Sequence, residues 1–157
     1  MEAAFCIPFL LFMLFGIYDV GNAITVNHKM ITASSVLADL ITRGQSVSTS
    51  ELNDAIIAAG LAMNPYTDSD GIGVDIISVS YDADDDPVQL WRETRNMAVD
   101  ADAIDRMVGL GTEGEGAVMV TITYRYIPTF GNIVIPEVGM KETAFARGRR
   151  SATVSRE

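Results

Sequence analysis

Length, composition and charge limit what this chain can be. Its 157 residues accommodate one domain of ordinary size beside a long apolar segment. Lys and Arg number 11 against 21 Asp and Glu, which gives a net charge of -10. Nucleic acid is not expected as a direct partner, because phosphates attract the opposite charge. Cys6 is the only cysteine, which excludes an internal disulfide framework or a thiolate metal cage.

The most apolar stretch lies at the amino terminus. No charged side chain occurs from Ala3 to Tyr18 and no polar face is left, so a helix here requires lipid or a buried core. About 20 apolar residues cross a hydrocarbon layer of ~30 Å. We therefore predict that 1–27, interrupted by the charge of Asp19, is a transmembrane or filament-core helix. A cleavable secretory signal is the alternative, but it requires a basic residue where this chain has Glu2.

The helical pattern continues beyond this segment and becomes amphipathic. Apolar residues recur every three or four positions from Ala23 to Leu40, with polar residues between them. Gly44 supplies a stop signal after Arg43. One long helix that changes from hydrophobic to amphipathic is predicted, and its second half belongs to a globular head that comprises 28–157.

Three residues are expected to make the first half of this helix bendable. Pro8 lacks the amide donor that a helix interior requires, so it should kink the helix near its start. Gly16 and Gly21 each lower helix propensity by roughly 1 kcal/mol relative to Ala.

The rest of the head reads as short helices and strands, and the fold class is predicted to be α+β. The long helix should pack on one face of an antiparallel sheet of about four strands, whose other face meets water. The closing arginines read as a basic tail. The predicted elements are a helix after a capping box at Ser48 that ends at Asn64-Pro65, strands over 71–81 and 88–99, a short helix over 100–108 capped by Asp100 or Asp102, a glycine-rich loop over 109–116, a strand over 117–126 and a returning edge strand over 134–146.

Three fragments of the chain carry a family resemblance. Residues 1–21 read MEAAFCIPFLLFMLFGIYDVG, in which a Glu leads into an apolar run with an internal Pro and a Phe-Gly-Ile-x-Asp-x-Gly close. Residues 120–128, VTITYRYIP, and 145–149, FARGR, add two distal fragments. Together they resemble the TadE/TadG-like minor pilins of tight-adherence (Flp-type) pili, whereas 46–115 has no counterpart.

This resemblance implies a pilin-like precursor without a cofactor. Its expected partners are a prepilin peptidase, the inner-membrane assembly platform, membrane lipid before assembly, and other pilins that pack against its amino-terminal helix. The expected location is the inner membrane with a periplasmic head, then the cell surface in the pilus. The residues implied in assembly are Glu2, Phe5, Pro8, Gly16, Asp19 and Gly21.

The chain departs from the family pattern before Glu2, where no basic or Gly-containing leader is seen. We expect either that the chain starts at an internal Met of a longer precursor or that the processing step is absent. Lys29 and Arg43 follow the span and mildly favour a cytoplasmic head by the positive-inside rule, but a leader would carry opposing charges.

Two acidic residues of the apolar segment each have two interpretations. Glu2 either pairs with a neighbour's α-amine and sets the axial stagger between subunits, or rests at the headgroups near a helix amino terminus. Asp19 is either an intramembrane pairing site or the point at which the helix leaves the bilayer.

A second functional hypothesis is a membrane-anchored extracytoplasmic module that binds a ligand or calcium, such as a sensor. Asp68 with Asp70, and Asp82 with Asp84, can supply oxygen ligands to calcium, but they also read as plain acidic turns. An enzyme is not expected, because His28 is the lone histidine and no catalytic triad or metal-ligand spacing accompanies it.

Overall fold

A 39-residue helix, α1 (Ala3–Ile41), runs along one face of a four-stranded antiparallel sheet. The structure, a computed structural model, describes residues 3–66, 72–130 and 136–157, with side chains from Cys6 onward. The sheet order is β3-β2-β4-β5, so the predicted α+β fold is confirmed. The remaining elements are β1 (Ser46–Val47), α2 (Thr49–Ala62), β2 (Gly73–Tyr81), β3 (Pro87–Arg95), a 3-10 helix (Asp105–Met107), β4 (Gly116–Tyr126), β5 (Val138–Ala146) and β6 (Ser155–Arg156).

The second half of α1 forms the centre of the main core. Its buried side chains recur every three or four residues, as the amphipathic pattern predicts. They lie over β4 and β5, whose inner-face residues pack against them, and α2 packs beside α1 in the same core. Each fully buried aliphatic side chain contributes about 1.5–3 kcal/mol. The stripe on α1 consists of Val26, Met30, Ala33, Leu37 and Ile41.

The outer face of the sheet differs from the expectation, because the two central strands are buried on both sides. Ala103 and Met107, from the connection between β3 and β4, cover Ile77, Val79 and Met119. This connection contains only the short 3-10 helix, and neither Asp100 nor Asp102 caps it with a side chain. The predicted helix over 100–108 was therefore wrong, since these residues pack as turns onto the sheet.

The carboxyl-terminal residues 147–157 do not form a free basic tail. Val154 is buried, and its carbonyl accepts hydrogen bonds from Trp91 Nε1 at 2.8 Å and from Ser78 Oγ at 3.2 Å. The following residues pair in parallel with β1, just after α1. This segment thus straps the end of α1 to the edge strand β3, which no local pattern indicated.

The capping box predicted at Ser48 is present at the start of α2. The Ser48 hydroxyl accepts a hydrogen bond from the Glu51 amide, and the Glu51 carboxylate accepts from the Ser48 amide at 2.8 Å. The Ser48 hydroxyl also donates to the Glu51 carboxylate at 2.8 Å. The bond from the Ser48 amide, and after it the bond from the Ser48 hydroxyl, hold the pKa of Glu51 below its ordinary value of 4.5.

Replacement of Glu51 by Gln should produce a pH-dependent loss of stability. A carboxyl with a lowered pKa contributes stability at neutral pH that is lost as the pH falls through its folded-state pKa. Glu51→Gln should therefore lower the free energy of unfolding at pH 7, and this deficit should shrink below pH 4.5. Urea unfolding of the full chain in mild detergent, followed by circular dichroism, measures it. A deficit that is the same at both pH values would contradict the prediction.

Candidate functional site

The first half of α1 presents a long exposed apolar surface. Ile7, Phe9 and Leu10 are each more than half exposed, and no described residue of the head covers Cys6–Leu14. The helix is long and apolar enough to cross a membrane. A surface of this kind in a single chain marks contact with lipid or with another protein.

A shallow apolar groove of about 540 Å³ follows the exposed face of α1. Gly21 lies in it, and a Cβ atom built at Gly21 would meet no other atom within 4 Å. Small residues on a membrane helix let a second helix approach closely. The groove is lined by Phe12, Met13, Gly16, Ile17, Val20, Gly21 and Ile24.

The predicted assembly residues fall into three groups. Glu2 lies outside the described residues, and Phe5 belongs to α1 although its side chain is not described. The helix continues through Pro8. Gly16 and Asp19 are buried, whereas Gly21 is exposed.

Asp19 joins α1 to the loop between β4 and β5. Its Oδ1 accepts a hydrogen bond from the Thr129 amide at 3.0 Å, and the Tyr126 hydroxyl donates to the Asp19 carbonyl at 2.9 Å. The side chain is fully buried, and among the described residues its Oδ2 has no hydrogen-bond partner. The partner of this intramolecular bond comes from the head, which neither sequence interpretation of Asp19 included.

Aromatic rings reinforce the same junction. The ring of Phe130 stacks on Phe15 with centroids 4.2 Å apart and meets Tyr18 edge-on at 5.4 Å. Such pairs contribute about 0.5–1.5 kcal/mol beyond the area they bury. The loop therefore contacts α1 within the segment predicted to lie in the membrane.

A group of tyrosines surrounds the junction. Tyr66, Tyr124 and Tyr126 line one polar cleft of about 270 Å³ together with Thr129. Burial raises the pKa of the Tyr126 hydroxyl, and the negative charge of Asp19 acts in the same direction. The end of the head that faces the apolar half of α1 is thus rich in amphipathic rings.

Removal of the Asp19 carboxylate should loosen this loop. Asp19→Ala removes the acceptor of the Thr129 amide, and a hydrogen bond to a charged group contributes about 1.5–3 kcal/mol. Asp19→Asn is the matched control, because its amide oxygen still accepts that bond. Hydrogen exchange of the Thr129 amide should accelerate in the Ala variant and change little in the Asn variant. Unchanged exchange in Asp19→Ala would contradict the proposed junction.

A buried ion network lies on the outer face of the sheet. Asp75 on β2 accepts hydrogen bonds from Arg92 Nε at 2.9 Å, from Thr94 Oγ1 at 2.8 Å and from the Asp100 amide at 3.1 Å. Asp100 in turn forms ion pairs with Lys141 Nζ at 2.9 Å and with Arg106. This network attaches the connection between β3 and β4 to the sheet.

The network was not predicted, because Asp75 alternates with apolar residues and was interpreted as a polar position of an alternating strand. Its side chain is instead 1% exposed. One signal was available: Asp75 is the only charge in the run from Ile72 to Tyr81 and has apolar residues on both sides. A lone charge in such a strand requires a buried partner.

Loss of Asp75 should destabilise the head strongly. Asp75→Ala leaves the Arg92 guanidinium buried without its partner, which costs about 3–5 kcal/mol. Glu93→Ala is the matched control on β3, where the ion pairs with Arg95 and Arg156 are more exposed and should contribute about 0–1 kcal/mol each. Urea unfolding of both variants in mild detergent measures the difference. Equal losses would contradict a structural role of the network.

The calcium candidates are placed as follows. Asp68 and Asp70 lie outside the described residues. In the turn between β2 and β3, the Asp82 Oδ1 accepts hydrogen bonds from the amides of Asp84 and Asp86, both at 3.0 Å. No group of three or more His, Cys, Asp or Glu side chains within the described ranges is arranged to hold a metal ion.

Comparison of the chain with models of protein families, with curated proteins and with solved structures finds no match. The pilin interpretation therefore stays a prediction from the three quoted fragments. The geometry of α1 and its junction with the head stands independently of it.

Proposed function

We propose that this chain is a structural or assembly-priming minor pilin of a bacterial tight-adherence pilus. In this proposal α1 holds the chain in the inner membrane, with the head in the periplasm, until the subunit enters or initiates the filament. The observation that carries the proposal is the division of α1 into two halves. The second half forms the core of the head, and the first half leaves its apolar side chains uncovered.

A helix divided in this way requires two successive apolar environments. Lipid covers the first half while the subunit is stored, at a favourable free energy of roughly 25 cal/mol for each Å² of apolar surface removed from water. After extraction from the bilayer, the same surface must be covered by neighbouring helices. Because the head already buries the other half of α1, each subunit can exchange lipid for protein contacts without refolding.

Two features of the first half suit it to helix packing. The groove that contains Gly21 admits the ridge of another helix. Glu2, which directly precedes α1 in the sequence, can pair with the α-amine of a neighbour and fix the stagger. A buried carboxylate without such a cation is costly, so this pairing would select one register.

Filling the groove should impair assembly without unfolding the subunit. Gly21→Leu adds a side chain where the isolated chain has open space, so the fold and membrane insertion should be retained. The bulky side chain should exclude a neighbouring helix and reduce the recovery of the protein in sheared pili several-fold. Recovery is measured by immunoblotting of sheared and membrane fractions.

Gly60→Leu is the matched control, because a Cβ atom at Gly60 on α2 also meets no atom within 4 Å. This variant should assemble normally. Normal incorporation of Gly21→Leu would refute packing through the groove. Unchanged piliation after deletion of the whole chain would refute the pilin proposal itself.

A further inference from the structure

The loop between β4 and β5 has an unusual composition for a surface connection. The sequence has no charged residue between Arg125 and Glu137. These two residues form an ion pair of 3.8 Å at the base of the loop. Beyond that pair, Ile127 is 52% exposed and Phe130 is 36% exposed. The last charged residues thus lie where the loop leaves the sheet, and the described apolar side chains beyond them are exposed.

This loop is attached to the apolar half of α1. Its Thr129 amide is bonded to Asp19, and its Phe130 ring stacks on Phe15, four residues earlier on the helix. Four residues correspond to about one turn, or ~5–6 Å along the axis. The Phe130 ring therefore lies about one turn closer than Thr129 to the amino-terminal, apolar end of α1.

The length of the uncharged run determines how deep this contact lies when α1 spans a membrane. The run from Ala3 to Tyr18 is flanked by the charges of Glu2 and Asp19 and is about 24 Å long at 1.5 Å per residue. A hydrocarbon layer is ~30 Å thick. Because the run is shorter than that layer, the hydrocarbon reaches at least to Asp19 when Glu2 lies at the opposite boundary, and Phe15 then lies inside it.

The chemistry of the surrounding side chains fits the interfacial layer. Non-helical backbone is excluded from hydrocarbon unless protein or water covers it, so the loop backbone must stay at headgroup level. Tyrosines concentrate at membrane interfaces, where the ring is apolar and the hydroxyl is wet. Three of the chain's five tyrosines, Tyr18, Tyr66 and Tyr124, are at least partly exposed at this junction, whereas Tyr126 is buried there and bonded to Asp19.

We infer that residues 127–130 at the start of the loop between β4 and β5, with the side chains of Ile127 and Phe130, enter the interfacial layer of the bilayer beside α1. The stored protein then has two membrane contacts, a spanning helix and a loop inserted to the boundary of the acyl chains. Apolar groups at such a boundary are typically buried ~5–10 Å deep. The loop also covers Asp19, which keeps the carboxylate away from lipid.

The second contact fixes the rotation of the whole molecule about the axis of α1 relative to the bilayer. A single helix leaves a head free to tilt, whereas a helix and an inserted loop define a plane. The inference needs membrane insertion but not pilus assembly, so it goes beyond the proposed function.

Depth-dependent fluorescence quenching tests the inference. The full chain is reconstituted in vesicles of phosphatidylethanolamine and phosphatidylglycerol that contain lipids with spin labels at known depths. An environment-sensitive dye is attached to the cysteine of an Ile127→Cys variant, in which Cys6→Ala removes the native thiol. The matched control is Val88→Cys, which is 47% exposed at the opposite end of the sheet. A third sample carries the dye on native Cys6 and reports insertion of α1.

The dye at position 127 should show blue-shifted emission and several-fold stronger quenching by headgroup and shallow acyl spin labels than the dye at position 88. Cys6 should be quenched by deeper labels.

The inference is overturned if position 127 behaves like position 88 while Cys6 is quenched, since the loop then stays in water. A blue shift without quenching by lipid would mean that protein covers the loop, and would also overturn it. If Cys6 itself is not quenched, α1 is not inserted and the inference fails with its premise. None of these measurements depends on piliation.

Discussion

The packing of α1 on the inner face of β4 and β5 determines how the other parts of the molecule are arranged. The buried stripe from Val26 to Ile41 joins residues of both strands into the main core. Because those residues belong to one helix, the core also determines where the helix projects beyond the head. The exposed apolar half of α1 is thus a continuous helical extension of a core element, without a linker between them.

The junction at Asp19 follows from that geometry. Where α1 passes the end of the sheet, the last residue of β4 supplies a hydroxyl to the helix, and the loop after β4 supplies an amide and an aromatic ring. A carboxylate in an otherwise apolar segment is costly unless it is bonded. Here the head supplies a bond that lipid does not. The same contact extends the head along α1 to Phe15, so the boundary between head and anchor is a region of overlap and not a single residue.

The outer face of the sheet shows a different balance. Asp75 is buried and bonded to Arg92, Thr94 and Asp100. The net contribution of such a buried ion pair to stability is small, whereas the loss of one partner is strongly destabilising. Their role is to hold the connection between β3 and β4 against the sheet, together with the apolar contacts of Met107. This connection and the carboxyl-terminal strap close the two sides of the sheet that α1 leaves open.

Elements whose signals are local could be predicted from the sequence. Periods of 3.6 and 2, a capping box and a chargeless run depend on neighbours along the chain, so α1, α2 and the four strands of the main sheet were predictable, as was a helix able to span a membrane. The partners of Asp19 and Asp75, the short strands β1 and β6, and the packing of the arginine-rich end as a strap depend on the tertiary structure. Asp19 and Thr129 are 110 residues apart. Their contact depends on how the sheet lies across the helix, which no local period records.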